Sequence, residues 1–279
     1  MTLIMPELPE VETVRQTLRR NILGKQVSGI TVLYDRMIVG GSVVDFKDKL
    51  IGKTLLEIGR MGKYLFFQFS DDIYLISHLR MEGKYFIKPI SDEIVKHEHV
   101  IFEFTDGVSL RYADVRKFGT MEIKTKEELL TTHPLKELGC EANVLTFDYL
   151  KDKVNKKHKD LKAFLLDQSM IAGIGNIYAD EICFMARLHP KQDIYYLTDD
   201  DLVNICDAAK VVINKAIEAG GTTIRSYTSS LGVTGLFQLQ LNVHTKANTP
   251  CPVCGENITK TRVAGRGTYI CCNCQKIRD

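Results

Sequence analysis

CPVCGENITKTRVAGRGTYICCNC, residues 251–274, is the most constrained stretch of this chain. It holds two C-x2-C pairs, Cys251 with Cys254 and Cys271 with Cys274, separated by 16 residues. Each pair fits one tight turn, and four thiolates at this spacing can meet tetrahedrally on a single zinc ion. Two disulfides are the alternative. Against them, the chain opens MTLIMPELPE, where prolines and carboxylates replace the basic start and apolar stretch of a secretion signal. A site closed by four sulfurs leaves no open coordination position, so the metal is structural and holds a hairpin too small to fold alone. Cys140, Cys183, Cys206 and Cys272 remain, and they read as small core residues or spare thiols.

Outward from this hairpin, residues 222–242 are rich in Ser, Thr and Gly and read as loop. Before them the helical period holds, with candidate helices at 126–130, 147–154, 160–168, 176–187 and 199–219. The last of these begins at acidic residues and stops at Gly220 and Gly221. Residues 27–124 have a different texture. Short runs such as VSGITVLY, KYLFFQF, DIYLISHL and HVIFEF are β-branched and aromatic, with Gly, Asp and Ser turns between them, and predict an antiparallel sandwich or barrel. At the front, Val11, Val14, Leu18 and Ile22 recur at helical spacing over 6–24, with Pro9 in the first turn and Gly24 as the stop.

The composition is that of an ordinary folded protein: 44% hydrophobic and 26% charged over 279 residues, with no run long enough for a membrane span. The expectation is a cytoplasmic protein. Net charge is only +2, but the basic residues are clustered. Residues 151–162 carry six lysines against Asp152 and Asp160, and residues 244–279 carry six Lys or Arg against Glu256 and Asp279. Either run alone reads as a solvated face. Together, beside a zinc ribbon, they point to a phosphate backbone as partner. Residue types and spacing go no further than a DNA- or RNA-binding protein.

The segment PELPEVETVR at 6–15 resembles the N-terminus of the formamidopyrimidine-DNA glycosylases, bacterial repair enzymes that remove oxidised purines. Similar strings run along the whole chain in the family's order: GKYL (62–65), HLRMEGKY (78–85), DVRKFG (114–119), DQSMIAGIGNIYADE (167–181) and AGRGTYICCNCQ (264–275). The sister family, endonuclease VIII, usually opens PEGPE, so the purine branch is the better match. The resemblance implies an α+β multidomain chain: an N-terminal β-sandwich with a leading helix (6–130), a helix–two-turns–helix DNA-binding domain with a lesion lid (140–235), and a C-terminal zinc ribbon (243–279). DNA would cross the cleft between them.

It also implies roles. Pro6 is the nucleophile, with Met5 as the removed initiator, and Glu7 is the general acid/base beside it. Glu10 shares that chemistry less clearly. Lys63 assists base removal and β-elimination, and Arg266 clamps phosphate and donates a proton in δ-elimination. Met81, Arg116 and Phe118 fill the hole left by a flipped nucleotide, although read alone Met81 and Phe118 are plain core. His97, Lys156 and Asn176 contact phosphates, and Thr222, Thr223, Arg225 and Tyr227 belong to the lid. In this chain VHTK at 243–246 stands where VYGR is usual, and Cys272 where proline is common.

The implied activity is that of a bifunctional glycosylase and abasic-site lyase on duplex DNA, monomeric, with one structural zinc and no redox or nucleotide cofactor. Such an enzyme sits in a bacterial cytoplasm, bound to the nucleoid through DNA. Two alternatives differ in chemistry. A non-catalytic DNA-binding paralogue follows if residues 1–4 are retained, and an endonuclease-VIII-like enzyme would prefer oxidised pyrimidines.

Overall fold

The computed structural model describes residues 5–222 and 236–278, which fall into two compact units, 5–136 and 137–222 with 236–278. The first unit opens with helix α1 (Leu8–Ile22). Glu7 is its extended N-cap, with Pro9 in the first turn where a missing N–H costs nothing. Val11, Val14, Leu18 and Ile22 form its buried stripe.

Two sheets follow. β1 (Val27–Val32), β6 (Lys84–Pro89), β7 (Glu98–Phe104) and β8 (Val108–Ala113) make one, in the order β1-β7-β8-β6. The other runs β2-β9-β5-β4-β3 and comprises β2 (Ile38–Val39), β3 (Leu55–Met61), β4 (Tyr64–Phe69), β5 (Ile73–His78) and β9 (Thr120–Thr125). All pairings are antiparallel except the short β2–β9 contact. Strict alternation shows on β4, where Leu65, Phe67 and Phe69 point inward while Tyr64, Phe66 and Gln68 are half-buried. The inward residues join Val100, Phe102, Phe104 and Leu110 of the other sheet in one core that also takes the α1 stripe. The unit is a β-sandwich with a leading helix.

One element departs from the strand reading of 27–124. Residues Val43–Leu50 form a helix, α2, capped by Ser42, whose hydroxyl accepts the Asp45 N–H while Asp45 reaches back. Its two leading valines favour a strand by residue type, although Val43, Phe46 and Leu50 recur at helical spacing. α3 (Lys126–Thr131) ends the sandwich.

In the second unit, β10 (Cys140–Glu141) pairs in parallel with β11 (Ile171–Ala172). Four helices follow the predicted order: α4 (Phe147–Val154), α5 (Leu161–Leu165), α6 (Asn176–Met185) and α7 (Asp199–Glu218). Helix α6 is buried almost all round, which is why its amphipathic signal is weak. α7 starts at a Thr198–Asp201 capping box and ends at Gly220 and Gly221, both with positive φ. β12 (Thr259–Val263) and β13 (Arg266–Ile270) form a hairpin whose two turn residues, Ala264 and Gly265, are both left-handed, as a type I′ turn requires. Phe184 of α6 packs with Val243, Ile258 and Tyr269 around Cys251 and Cys271, so the hairpin shares a core with the helices.

Candidate active site and zinc centre

The start of α1 is built with care. Glu10 accepts the backbone N–H of Glu7 at 2.9 Å, and the Glu7 side chain accepts the Glu10 N–H in return. Glu7 is 2% exposed and Glu10 1%. The Glu7 N–H belongs to the peptide that joins Pro6 to the helix. Glu10 therefore fixes the plane of the peptide that follows Pro6. Pro6 itself is half-buried.

Lys63 occupies the tip of the β3–β4 hairpin. Gly62 has φ 56 and Lys63 does not share that sign, the pattern of a II′ turn, in which the first position favours glycine. The lysine is nevertheless only 6% exposed. A tether joins this tip to α1. Glu12 accepts from Arg15 at 2.6 Å and from Arg60 Nε at 2.9 Å, and Arg60 Nη1 donates to the Gly62 carbonyl at 3.1 Å. Burial pushes the Glu12 carboxyl up, but the bonds from Arg15, Gln16 and Arg60 together outweigh it and bring it down to about 2.

A depressed carboxyl stabilises the fold above its unfolded pKa near 4.5, and that contribution is lost as pH falls toward about 2. Glu12→Gln should therefore lower the thermal midpoint at neutral pH by an amount equivalent to roughly 1–2 kcal/mol. The gap to wild type should close between pH 4.5 and 2. Thermal unfolding across that range checks it; a gap independent of pH would contradict it.

Beside Lys63 lies His78, 7% exposed, with its ring edge-on to Tyr64 at 4.4 Å. Burial pushes the imidazole down to about 3, with the charges of Arg80 and Lys63 adding to the effect. It is neutral, and its Nδ1 accepts the Arg80 N–H at 2.9 Å, which leaves the proton on Nε2. That bond shapes the left-handed turn at Arg80, immediately before Met81.

Two of the residues implied as hole-fillers are not core. Phe118 is 51% exposed, with the Arg116 guanidinium 4.7 Å above its ring, and Met81 is half-buried in its turn. His97, half-buried at φ 74, precedes β7, and its carbonyl accepts the Asp114 N–H. Pro6, Glu7, Lys63, Met81, His97, Arg116 and Phe118 all belong to the first unit.

The second unit carries the rest. Arg266 opens β13 just past the type I′ turn and is exposed. Asn176 sits at the first position of α6, and its Nδ2 donates to Gly267 O at 3.1 Å, so the GIG turn and the hairpin that carries Arg266 are joined. Lys162 Nζ donates to the same carbonyl at 3.2 Å, to Thr268 Oγ1 at 2.8 Å and to Asp180 Oδ1 at 2.7 Å. Asp180 in turn binds His244 Nδ1 at 2.8 Å, and Glu181 accepts the backbone N–H groups of Asn242, Val243 and His244. The histidine that replaces tyrosine in VHTK is thus a buried structural partner.

The lysine run of 151–162 is less of a free face than its composition suggests. Lys162 is fully buried, Lys151 pairs with Asp199, and Lys159 pairs with Asp167. Lys156 is exposed and left-handed at φ 54, on a loop pinned by Asp193, which binds His158 Nδ1 and the Lys159 N–H. Of the lid residues, Thr222 is buried, while Thr223, Arg225 and Tyr227 lie outside the described residues.

At the metal centre the sulfurs of Cys251, Cys254, Cys271 and Cys274 all lie within 4.8 Å of one another. A tetrahedral ion with Zn–S bonds of about 2.3 Å needs neighbouring sulfurs ~3.8 Å apart. The Cys251–Cys274 and Cys254–Cys271 separations, 3.9 and 3.4 Å, bracket that value. The N–H groups of Val253 and Cys274 point at Cys251 Sγ and Cys271 Sγ, each at 3.4 Å, and stabilise thiolate charge. The donor set fits one structural zinc. Cys272 is exposed, contacts Thr259 and stands outside the cluster. Cys183 and Cys206 are buried, with thiols pushed up by burial, as spare core residues should be.

Known proteins show the same order of parts. The formamidopyrimidine-DNA glycosylase N-terminal domain matches residues 5–121, its H2TH domain residues 138–228, and the zinc finger found in Fpg and isoleucyl-tRNA synthetase residues 249–277. Among curated relatives, the formamidopyrimidine-DNA glycosylase of Exiguobacterium sibiricum is 49% identical over 276 residues, covering 98% of this chain and 99% of that one. That of Ligilactobacillus salivarius is 46% identical over 278 residues, covering 98% and 100%. Among solved structures, wild-type Lactococcus lactis Fpg with DNA containing N7-benzyl-Fapy-dG matches at TM-score 0.92 and 40% identity, covering 97% of this chain and all of that one. The same enzyme with abasic-site DNA matches at 0.92 and 40%, covering 97% and 99%. The chain belongs to the formamidopyrimidine-DNA glycosylase family.

Proposed function

We propose that the protein is a bifunctional DNA glycosylase and abasic-site lyase that removes oxidised purines, 8-oxoguanine and formamidopyrimidines, from duplex DNA and then cuts the strand. Its curated relatives carry the glycosylase name, and solved relatives hold formamidopyrimidine or abasic DNA. The relatives are bacterial, and no described helix is long and apolar enough to cross a membrane. We place the enzyme in the cytoplasm as a monomer.

The observation that carries this reading is the Glu12–Arg60–Gly62 tether, which joins the helix starting just after Pro6 to the hairpin tip that buries Lys63. A free N-terminal proline is a secondary amine with a pKa near 8, so a useful fraction holds a lone pair at neutral pH. That lone pair attacks C1′ of the damaged nucleotide, and the C1′–N bond to the base breaks with its electrons leaving on the base. Glu7, next in the chain and buried, moves protons as the sugar opens and the base departs. The resulting iminium acidifies the C2′ proton, whose removal expels the 3′ phosphate. A second elimination releases the 5′ phosphate, with Arg266 as phosphate clamp and proton donor. Lys63 supplies positive charge to both base loss and elimination. The match to the family begins at Met5, which supports a mature chain that starts at Pro6.

Zinc supplies no chemistry in this scheme. Bound to the four cysteines, it holds the hairpin that carries Arg266. In the duplex the lesion is stacked, so the nucleotide must be extruded. Phe118, exposed beneath Arg116, and Met81 are apolar surfaces suited to the vacated stack, and Arg116 to the orphaned cytosine.

A panel of lesion duplexes tests the assignment. 8-Oxoguanine opposite cytosine and formamidopyrimidine duplexes should be excised at least about tenfold faster than thymine glycol, a discrimination that one or two polar contacts to the base can supply. Faster excision of thymine glycol would overturn the purine assignment.

A further inference from the structure

We propose that Asp114 is a positioning residue for nucleotide extrusion, holding the Arg116–Phe118 turn in its penetrating shape before DNA arrives; this rests on the reading of Met81, Arg116 and Phe118 as hole-fillers. Asp114 follows β8 and is 1% exposed. Its Oδ1 accepts the Arg116 N–H at 2.9 Å, and its Oδ2 accepts the N–H groups of Phe118 and Gly119 at 2.9 and 2.8 Å. Its backbone faces the opposite way. Its N–H donates to the His97 carbonyl at 3.0 Å, and its own carbonyl accepts from His99 Nε2 at 2.9 Å. One residue therefore joins the candidate phosphate contact to the candidate wedge.

The turn it holds is an unfavourable one without support. Val115 is 56% exposed and Phe118 51%, and Lys117 is left-handed at φ 58. Apolar side chains raised into water on a strained backbone tend to collapse. Three N–H bonds to one buried carboxylate oppose that collapse.

The Met81 turn is fixed to the same base. His78 Nδ1 holds the Arg80 N–H, and Gly83 N–H donates to the Leu79 carbonyl at 2.9 Å. Gly83 and Gly119 both approach the hydroxyl of the fully buried Tyr112, so closely that a Cβ would lie 2.1 and 1.7 Å from its oxygen. Both turns thus rest on one phenol, which is why each has glycine there. Asp114 locks one turn, the His78 bond shapes the other, and the two are held as a unit. The energy of binding then goes into unstacking the base instead of ordering a loop.

Asp114→Asn tests this, since the amide replaces one accepting oxygen with a donor that faces N–H groups. Two substrates separate positioning from general damage. On 8-oxoguanine opposite cytosine, single-turnover excision should fall by about 10- to 100-fold, the scale of a misplaced reacting geometry. The fluorescence rise of 2-aminopurine beside the lesion should slow by the same factor. On a preformed abasic site, which has no base to unstack, cleavage should fall less than about threefold. Equal losses on both substrates, or no loss on either, would overturn the inference. A wild-type enzyme that cuts the abasic site yet leaves 8-oxoguanine intact would instead overturn the substrate reading. Amide exchange in the wild-type protein gives a check that needs no variant. The N–H groups of Arg116, Phe118 and Gly119 should be protected although their loop is exposed, and fast exchange at all three would also overturn the proposal.

Discussion

Cys254→Ser is expected to release the zinc and weaken binding to lesion duplexes by at least about 100-fold, while the β-sandwich remains folded. The reason is local. The hairpin shares only a small core, Phe184, Val243, Ile258 and Tyr269 around two of the cysteines. So small a core does not hold a ribbon without its metal. With the metal lost, β13 loses its register. Gly267 then no longer meets Lys162 and Asn176, and Arg266, the next residue back, loses its fixed place. The charge of Lys162 is a further cost, because it sits fully buried between Asp180 and the hairpin. The sandwich has its own core and should not notice. Zinc content, fluorescence anisotropy of a labelled duplex and amide exchange over residues 27–125 measure the three parts. A metal-free variant that binds DNA normally would contradict the account.

The second large effect concerns Pro6. A protein carrying a fixed, unremovable segment ahead of Pro6 should bind lesion DNA but excise and cut it more slowly by a factor of about 10⁴ or more. An amide nitrogen shares its lone pair with the carbonyl and cannot attack C1′. The capping pair of Glu7 and Glu10 does not depend on the free amine, so α1 should stay folded and the loss should be purely chemical. Normal excision by such a protein would remove Pro6 from the mechanism.

What could be read from the residues, and what could not, divides by distance along the chain. The zinc ligands were legible because each pair sits within one turn, and the strands because alternation and turn residues are local. Helices α4 and α7 were legible through their caps and apolar stripes. Helix α2 was not, since VVDFKDKL opens with two β-branched residues and its two turns sit among strands, although Ser42 and Asp45 mark its cap. The tether of Glu12 to Arg60 joins residues 48 apart, and nothing in either neighbourhood announces it. Lys162 reads as one more lysine in a basic run, yet it is fully buried against Asp180. Phe118 shows the opposite case. By residue type it belongs in a core, yet it is exposed, on a turn whose N–H groups bond the Asp114 carboxylate. Within the DVRKFG motif the order of letters carried the resemblance, and the geometry explains why aspartate and glycine stand at its two ends.

Borohydride trapping on a duplex with one 8-oxoguanine opposite cytosine, followed by peptide mapping of the adduct, tests the central claim most directly. An iminium between Pro6 and C1′ is reduced to a stable amine, so the account predicts a covalent protein–DNA species whose modified residue is Pro6 at the N-terminus. An adduct mapped to Lys63, or none despite excision of the base, would contradict it.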